Sequence, residues 1–171
     1  VTDTSGRTGT DSLSLAINGR PSAPVVEITP DPTKSGQELR ASIVTHAVDP
    51  EGDDITYQYD WYNGGSLYSS GTNPNVPQGV TIRDQFWEVR VYPDDGYGLG
   101  SPGLDDITVG NSPPVIDSVG ITPTPADTLD ELICTASGFR DQDSDPEKYT
   151  YRWFLNGAVD TSETTDAFPY S

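Results

Sequence analysis

The sequence of 171 residues has no methionine, one cysteine, one histidine and little positive charge, with 9 lysines and arginines against 27 aspartates and glutamates. One cysteine and one histidine leave little for a zinc site or a nucleophile–base pair. The net charge of −18 repels phosphate backbones and anionic lipids, so we expect no nucleic-acid partner. No run of about 18 apolar residues occurs, so we expect no membrane insertion.

Hydrophobic residues make up only 33% of the chain, yet its 3 tryptophans, 9 tyrosines and 4 phenylalanines include several that stand in alternating runs. Such runs favour an acidic, folded, β-rich protein over a disordered one. The chain starts at Val1, without a methionine or a signal peptide. We therefore expect it to be an internal piece of a longer polypeptide.

The sequence repeats itself. Residues 28–32 (ITPDP) recur at 121–125 (ITPTP), 93 positions later, and residues 57–61 (YQYDW) match 149–153 (YTYRW), 92 positions later. We interpret residues 1–21 as the C-terminal strands of one repeat, 22–111 as a complete repeat and 112–171 as the N-terminal half of another. Short proline-containing linkers at 18–24 and 111–114 separate them.

Within the complete repeat, apolar residues alternate with polar ones, which is the period of a β-strand with one buried face. No segment has a sustained helical period. The pattern predicts six or seven short strands in an antiparallel sandwich. The alternating apolar positions are Leu39, Ala41 and Ile43, then Ile55, Tyr57, Tyr59 and Trp61, then Trp87, Val89 and Val91, with shorter strands at 26–28, 80–82 and 107–109.

The Asn/Ser-Pro-Pro linker, an Asp-rich turn, the Tyr-x-Tyr-x-Trp strand and a late turn at 94–98 (DDGYG) together resemble tandem immunoglobulin-like repeats of large bacterial and archaeal surface proteins. These repeats are similar to polycystic-kidney-disease-type and cadherin-like modules. The resemblance implies an all-β fold of tandem antiparallel immunoglobulin-like β-sandwiches, incomplete at both ends. It also implies an extracellular or cell-surface location and a non-enzymatic role as adhesin, stalk or filament subunit.

The resemblance also suggests a role for Cys134, which lies where such sandwiches place one half of a disulfide between their second and sixth strands. The corresponding position of the complete repeat is Ala41, and Val89 lies where the partner would be. A disulfide half and a plain buried thiol remain equally open interpretations.

Two acidic turns contain the candidate metal ligands. Asp49, Glu51 and Asp53 lie in one turn and Asp141, Asp143 and Asp145 in the other, each starting 12 residues before a tryptophan of the repeat. Carboxylates at alternating positions of a turn can converge, and oxygen ligands in flexible geometry suit Ca²⁺. A solvated acidic loop in a protein adapted to salt is the alternative.

Sandwich topology places the turn that contains Asp94 and Asp95 at the same end as the turn of Asp49, next to the linker. By resemblance to cadherin-like modules, Ca²⁺ held there would stiffen the joint to the preceding repeat. The expected partners are neighbouring repeats of the same chain and other copies in a homo-oligomeric filament.

An enzymatic role is not expected, because His46 has no serine or cysteine neighbour in sequence that would serve as a nucleophile. The alternative to a structural repeat is an adhesin or carbohydrate-binding module. It would recognise a glycan or cell-surface partner through loop aromatics, for which Tyr62, Tyr68, Tyr92 and Tyr97 are candidates.

Overall fold

The computed structural model describes residues 2, 4–6, 8 and 17–169. By its contacts the chain divides into two compact units, each assembled from three segments. The first unit runs as far as Ile28 and adds Ala41–Pro74 and Glu88–Asp106; the second takes Thr29–Arg40, Asn75–Trp87 and the chain from Ile107 onward. The boundaries of these units differ from those of the predicted repeats, 1–21, 22–111 and 112–171. The repeat boundaries stay a prediction.

The protein is all-β, and its described residues contain no helix. The paired strands are antiparallel. In the described part of the chain, therefore, no helix is long and apolar enough to span a membrane. The strands are β1 Val25–Thr29, β2 Leu39–Thr45, β3 Thr56–Asn63, β4 Ser66–Gly71, β5 Asn75–Val76, β6 Phe86–Asp94, β7 Gly103–Thr108, β8 Ser118–Thr122, β9 Leu132–Ser137, β10 Trp153–Leu155, β11 Ala158–Asp160 and β12 Ala167–Phe168.

The largest sheet has four strands in the order β4-β3-β6-β7, and a second sheet has the order β1-β2-β5. β3 and β4 form a hairpin whose two turn residues, Gly64 and Gly65, have φ of 56° and 81°. A two-residue hairpin that needs positive φ at both positions favours glycine. Residues 80–82, predicted as a strand, lie outside any strand.

The burial pattern of β6 confirms the predicted alternation, since Trp87, Val89 and Val91 are all fully buried. In β3 only Trp61 is fully buried, and the tyrosines that precede it are half-buried. Long amphipathic side chains can cover apolar surface while their hydroxyls reach solvent, so the predicted face is only partly enclosed.

Strand pairings recur at the spacing of the sequence repeat. β1 begins at Val25 and β8 at Ser118, 93 positions later. Leu39 of β2 pairs with Val76 of β5, and Leu132 of β9 pairs with Phe168 of β12, which lie 93 and 92 positions further on. The two pairs of the β10–β11 hairpin next to its turn repeat those of the β3–β4 hairpin, whereas the register shift beside Trp61 has no counterpart at Trp153.

Of residues 1–21, predicted as the C-terminal strands of the first repeat, residues 1, 3, 7 and 9–16 lie outside the described residues. In the third, only Trp153 of the tyrosine-tryptophan pattern belongs to a strand, β10. Cys134 lies on β9 as predicted, half-buried and with a free thiol; its pairing stays a prediction.

Candidate functional site

The first acidic loop is organised by Asp49. Its Oδ1 accepts hydrogen bonds from the backbone N–H groups of Glu51, at 2.9 Å, and Asp53, at 3.1 Å. Only 7% of Asp49 is exposed. A buried carboxylate that accepts two backbone N–H groups fixes the turn around itself, because each donor would otherwise lose its partner.

The second acidic loop has the same geometry 92 positions later. Asp141 Oδ1 accepts the N–H groups of Asp143, at 2.8 Å, and Asp145, at 3.1 Å. The fourth residue of each loop has positive φ, 84° at Gly52 and 60° at Ser144. The predicted correspondence of the two loops therefore holds for their hydrogen bonds as well as for their sequence.

Each linker is bound by the middle acid of one acidic loop. In the first unit, the Gly19 N–H donates to Glu51 Oε2 at 2.9 Å. In the second unit, the Ser112 N–H donates to Asp143 Oδ2 at 2.6 Å. Gly19 and Ser112 are 93 positions apart and both follow an asparagine. We call this recurring carboxylate-to-linker contact the linker clamp.

Asp95 lies beside the first loop and contacts the first linker. Asp95 is 6% exposed, and its Oδ2 accepts a 3.0 Å hydrogen bond from Asn18 Nδ2 in the linker. Its Oδ1 accepts the N–H groups of Tyr97 and Gly98. The Asn18 amide and these two N–H groups lower the pKa of Asp95, although its loss of water acts in the opposite direction.

Asp94 differs from its neighbour. Its Oδ1 accepts the N–H of Gly96 at 2.9 Å and so caps its own turn. The structure therefore brings Asp49, Glu51, Asp53 and Asp95 together around the first linker, while the hydrogen bond of Asp94 stays within the strand end that carries it.

The second linker is held by additional groups. Arg83 Nη1 donates to Asp145 Oδ2 at 2.7 Å and to Asn111 Oδ1. Ser112 Oγ donates to the Ser35 carbonyl at 2.9 Å. A guanidinium group with several donors can join two acceptors on different segments, so Arg83 connects the linker to the acidic loop.

Three groups lower the pKa of Asp143. The Ser35 hydroxyl, which lies beside it without a hydrogen bond of ordinary geometry, contributes most; the Ser112 N–H and the charge of Arg83 add to it, while loss of water opposes them. The ionised form of Asp143 therefore stabilises the fold above the ordinary value of 3.8, and this contribution is lost as the pH falls through the lowered pKa.

Loss of water and the carboxylates of Asp49, Asp95, Glu51 and Asp54 raise the pKa of Asp53. Its ionised form therefore costs stability at neutral pH. In low-salt buffer with a chelator, Asp53→Asn is expected to raise the thermal midpoint at about pH 7. The gain should vanish near pH 3, below the unfolded-state value of 3.8, where Asp53 is protonated in both states.

Thermal unfolding of wild type and variant at the two pH values measures this effect. Asp31→Asn, in an exposed turn, is the control for the loss of one charge. A gain in thermal midpoint of equal size at both pH values, or in both variants, would exclude local charge repulsion at Asp53 as its cause.

The predicted Ca²⁺ site requires several oxygen ligands around one ion. Among the described residues, no group of three or more His, Cys, Asp or Glu side chains is arranged to hold a metal ion by itself. However, Asp49 Oδ2, Asp141 Oδ2 and Asp143 Oδ1 are buried and accept no hydrogen bond. Buried carboxylate oxygens without a donor fit a hard cation whose remaining ligands are backbone carbonyls and water.

The residues that hydrogen-bond to the linkers or within them were not predicted from the sequence. Asn18 and Asn111, which precede the two linker amides, lie at the repeat spacing, and this recurrence could have indicated a shared role. Arg83 and Ser35 carried no such signal. His46, set aside as a base, makes a 3.1 Å contact from Nδ1 to the Tyr57 hydroxyl.

No protein-family model matches this sequence, and no curated protein shows a significant match to it.

Proposed function

We propose that this chain is a non-enzymatic structural part of an extracellular filament, stalk or appendage, with joints held by carboxylates and stiffened by Ca²⁺. The linker clamp carries the proposal: Glu51 binds the Gly19 N–H in one linker, and Asp143 binds the Ser112 N–H in the other. A recurring contact that restrains a linker suits a load-bearing or spacing role, for which flexible joints would be a disadvantage.

The same proposal includes the finer fold, tandem antiparallel immunoglobulin-like β-sandwiches. Its support is the recurrence of strand pairs and acidic loops at offsets of 92 and 93 positions. Within one chain each repeat would touch only its neighbours, and other copies would associate laterally in a filament at the cell surface.

Ca²⁺ is proposed at an inner position of each acidic loop, next to the first aspartate. In the first loop Asp49 Oδ2 would bind the ion, with Asp53, Glu51 and Asp95 completing the negative environment. In the second loop Asp141 Oδ2 and Asp143 Oδ1 would bind it. The ion would supply charge neutralisation, and the residues would hold the linker in place.

The experiment that tests the structural role is nuclear spin relaxation of the linker amides. Gly19 and Ser112 are expected to show order parameters near 0.85, the value of rigid backbone. Glu51→Ala should bring Gly19 below about 0.6 and leave Ser112 unchanged, and Asp143→Ala should do the reverse. Values below about 0.6 for both amides in the wild type would contradict a restrained joint.

A second candidate is a glycan-binding module. Tyr97 is 76% exposed and Tyr68 44% exposed, and exposed tyrosine rings can stack on sugars. Tyr62, by contrast, lies under the Arg90 guanidinium, 4.6 Å from it. Specific signals on a glycan array that disappear in Tyr97→Ala would favour this candidate over the structural one.

A further inference from the structure

A cavity of about 270 Å³ lies beside the first acidic loop. It is lined by Ile17, Asn18, Glu51, Asp53 and Tyr97. Two of these groups are carboxylates, and the ring of Tyr97 is largely exposed. In the described part of the chain, no ion pair involves Glu51 or Asp53, and Arg20 in the same linker forms none. The cavity thus combines uncompensated negative charge with an open aromatic face.

The second acidic loop shows what occupies the corresponding place there. Asn111 and Asp145, which correspond to Asn18 and Asp53, both accept hydrogen bonds from Arg83 Nη1. Asp143, which corresponds to Glu51, binds its linker amide as Glu51 does and adds negative charge beside the arginine. Two equivalent acceptors, in a loop of the same geometry, therefore hold a guanidinium group in this molecule.

The chemistry of the cavity favours the same group. An ionised carboxylate and an amide oxygen both accept hydrogen bonds, and guanidinium offers five donors in one plane. Tyr97 adds a ring face on which a planar cation can stack. An ammonium group is a more strongly hydrated point charge and matches this arrangement less well.

We propose that this cavity binds the guanidinium group of an arginine, presented by a loop like residues 82–85 of a neighbouring repeat. The inference rests on the proposed repeat architecture, and Asp53 and Asn18 are its principal acceptors. It is separable from the Ca²⁺ proposal, because Ca²⁺ would sit at the inner Asp49 oxygen and arginine at the outer Asp53 carboxylate.

The test is a titration of the ¹⁵N-labelled protein with N-acetyl-arginine amide, in low salt with a chelator. The Asn18 side-chain amide and the Tyr97 N–H should shift, with a dissociation constant of about 1–30 mM, as for a small fragment. The lysine analogue should bind at least about fivefold more weakly. Asp53→Asn should abolish the shifts, and Asp94→Asn should retain them.

The second loop provides a positive control. In Arg83→Ala the vacated site should accept the arginine analogue, seen as a shift of the Asn111 side-chain amide. Shifts at Asn111 of this variant without shifts at Asn18 would overturn the proposal, as would equal binding of the lysine analogue. Glu51→Gln changes a second residue that lines the cavity and should also weaken binding.

The outcome is distinguishable from failure of the proposed function. Rigid linker amides without arginine binding would refute only the guanidinium site. Arginine binding with flexible linkers would refute the structural role and leave this site in place.

Discussion

Asp49→Ala is expected to lower the free energy of unfolding by about 1–3 kcal/mol, because the partly buried N–H groups of Glu51 and Asp53 would lose the buried carboxylate that accepts from both. Asp49→Asn retains an oxygen at Oδ1 and should cost less than about 1 kcal/mol in the absence of metal. Denaturant unfolding followed by tryptophan fluorescence, with a chelator present, measures both values.

The asparagine variant is the matched control, since it removes the charge and keeps the hydrogen bonds. Equal losses in the two variants would show that the charge of Asp49, and not its role as acceptor, holds the loop. No loss in either would show that the loop does not need its first aspartate.

Calcium is expected to stabilise the protein by about 2.7 kcal/mol at a concentration 100 times its dissociation constant. For a site of extracellular type that constant is about 10⁻⁴–10⁻³ M. The physical reason is that the proposed ion would bind oxygens that are buried without a donor, Asp49 Oδ2 among them, and the unfolded chain has no such site. Unfolding with calcium and with chelator, at matched ionic strength, measures the difference.

Asp49→Asn should lose the part of this gain that belongs to the first loop, and magnesium should replace calcium poorly because it prefers a rigid octahedral shell. An unchanged midpoint in the wild type would remove the metal from the account. It would leave the hydrogen-bonded clamp untouched.

Alternation in the sequence predicted the elements that depend on local burial. Trp87, Val89 and Val91 occupy the buried face of β6 because successive residues of a strand point to opposite sides. The repeat spacing likewise placed the two acidic loops in correspondence. The strand expected at 80–82 did not form: the Ile82 N–H donates to the side chain of Gln85, and the Thr81 hydroxyl donates to the carbonyl of Gln37.

The candidate site was only partly predictable, for a physical reason. Asp94 and Asp95 are adjacent, yet Asp94 caps its own turn while Asp95 binds the linker through Asn18. Arg83 was not predictable either, because the aspartate that it binds, Asp145, lies 62 positions away in the sequence. Which of several acids meets a given donor depends on tertiary position, and composition and spacing do not specify it.

The most direct measurement of the linker clamp is the pH titration of the Ser112 amide proton by NMR. Because this proton is hydrogen-bonded to Asp143, its chemical shift should move upfield as Asp143 is protonated. The midpoint of this step should lie below the ordinary aspartate pKa of 3.8. The step should be absent in Asp143→Asn and retained in Glu51→Gln. A Ser112 proton that does not titrate, or keeps its step in Asp143→Asn, would contradict the clamp.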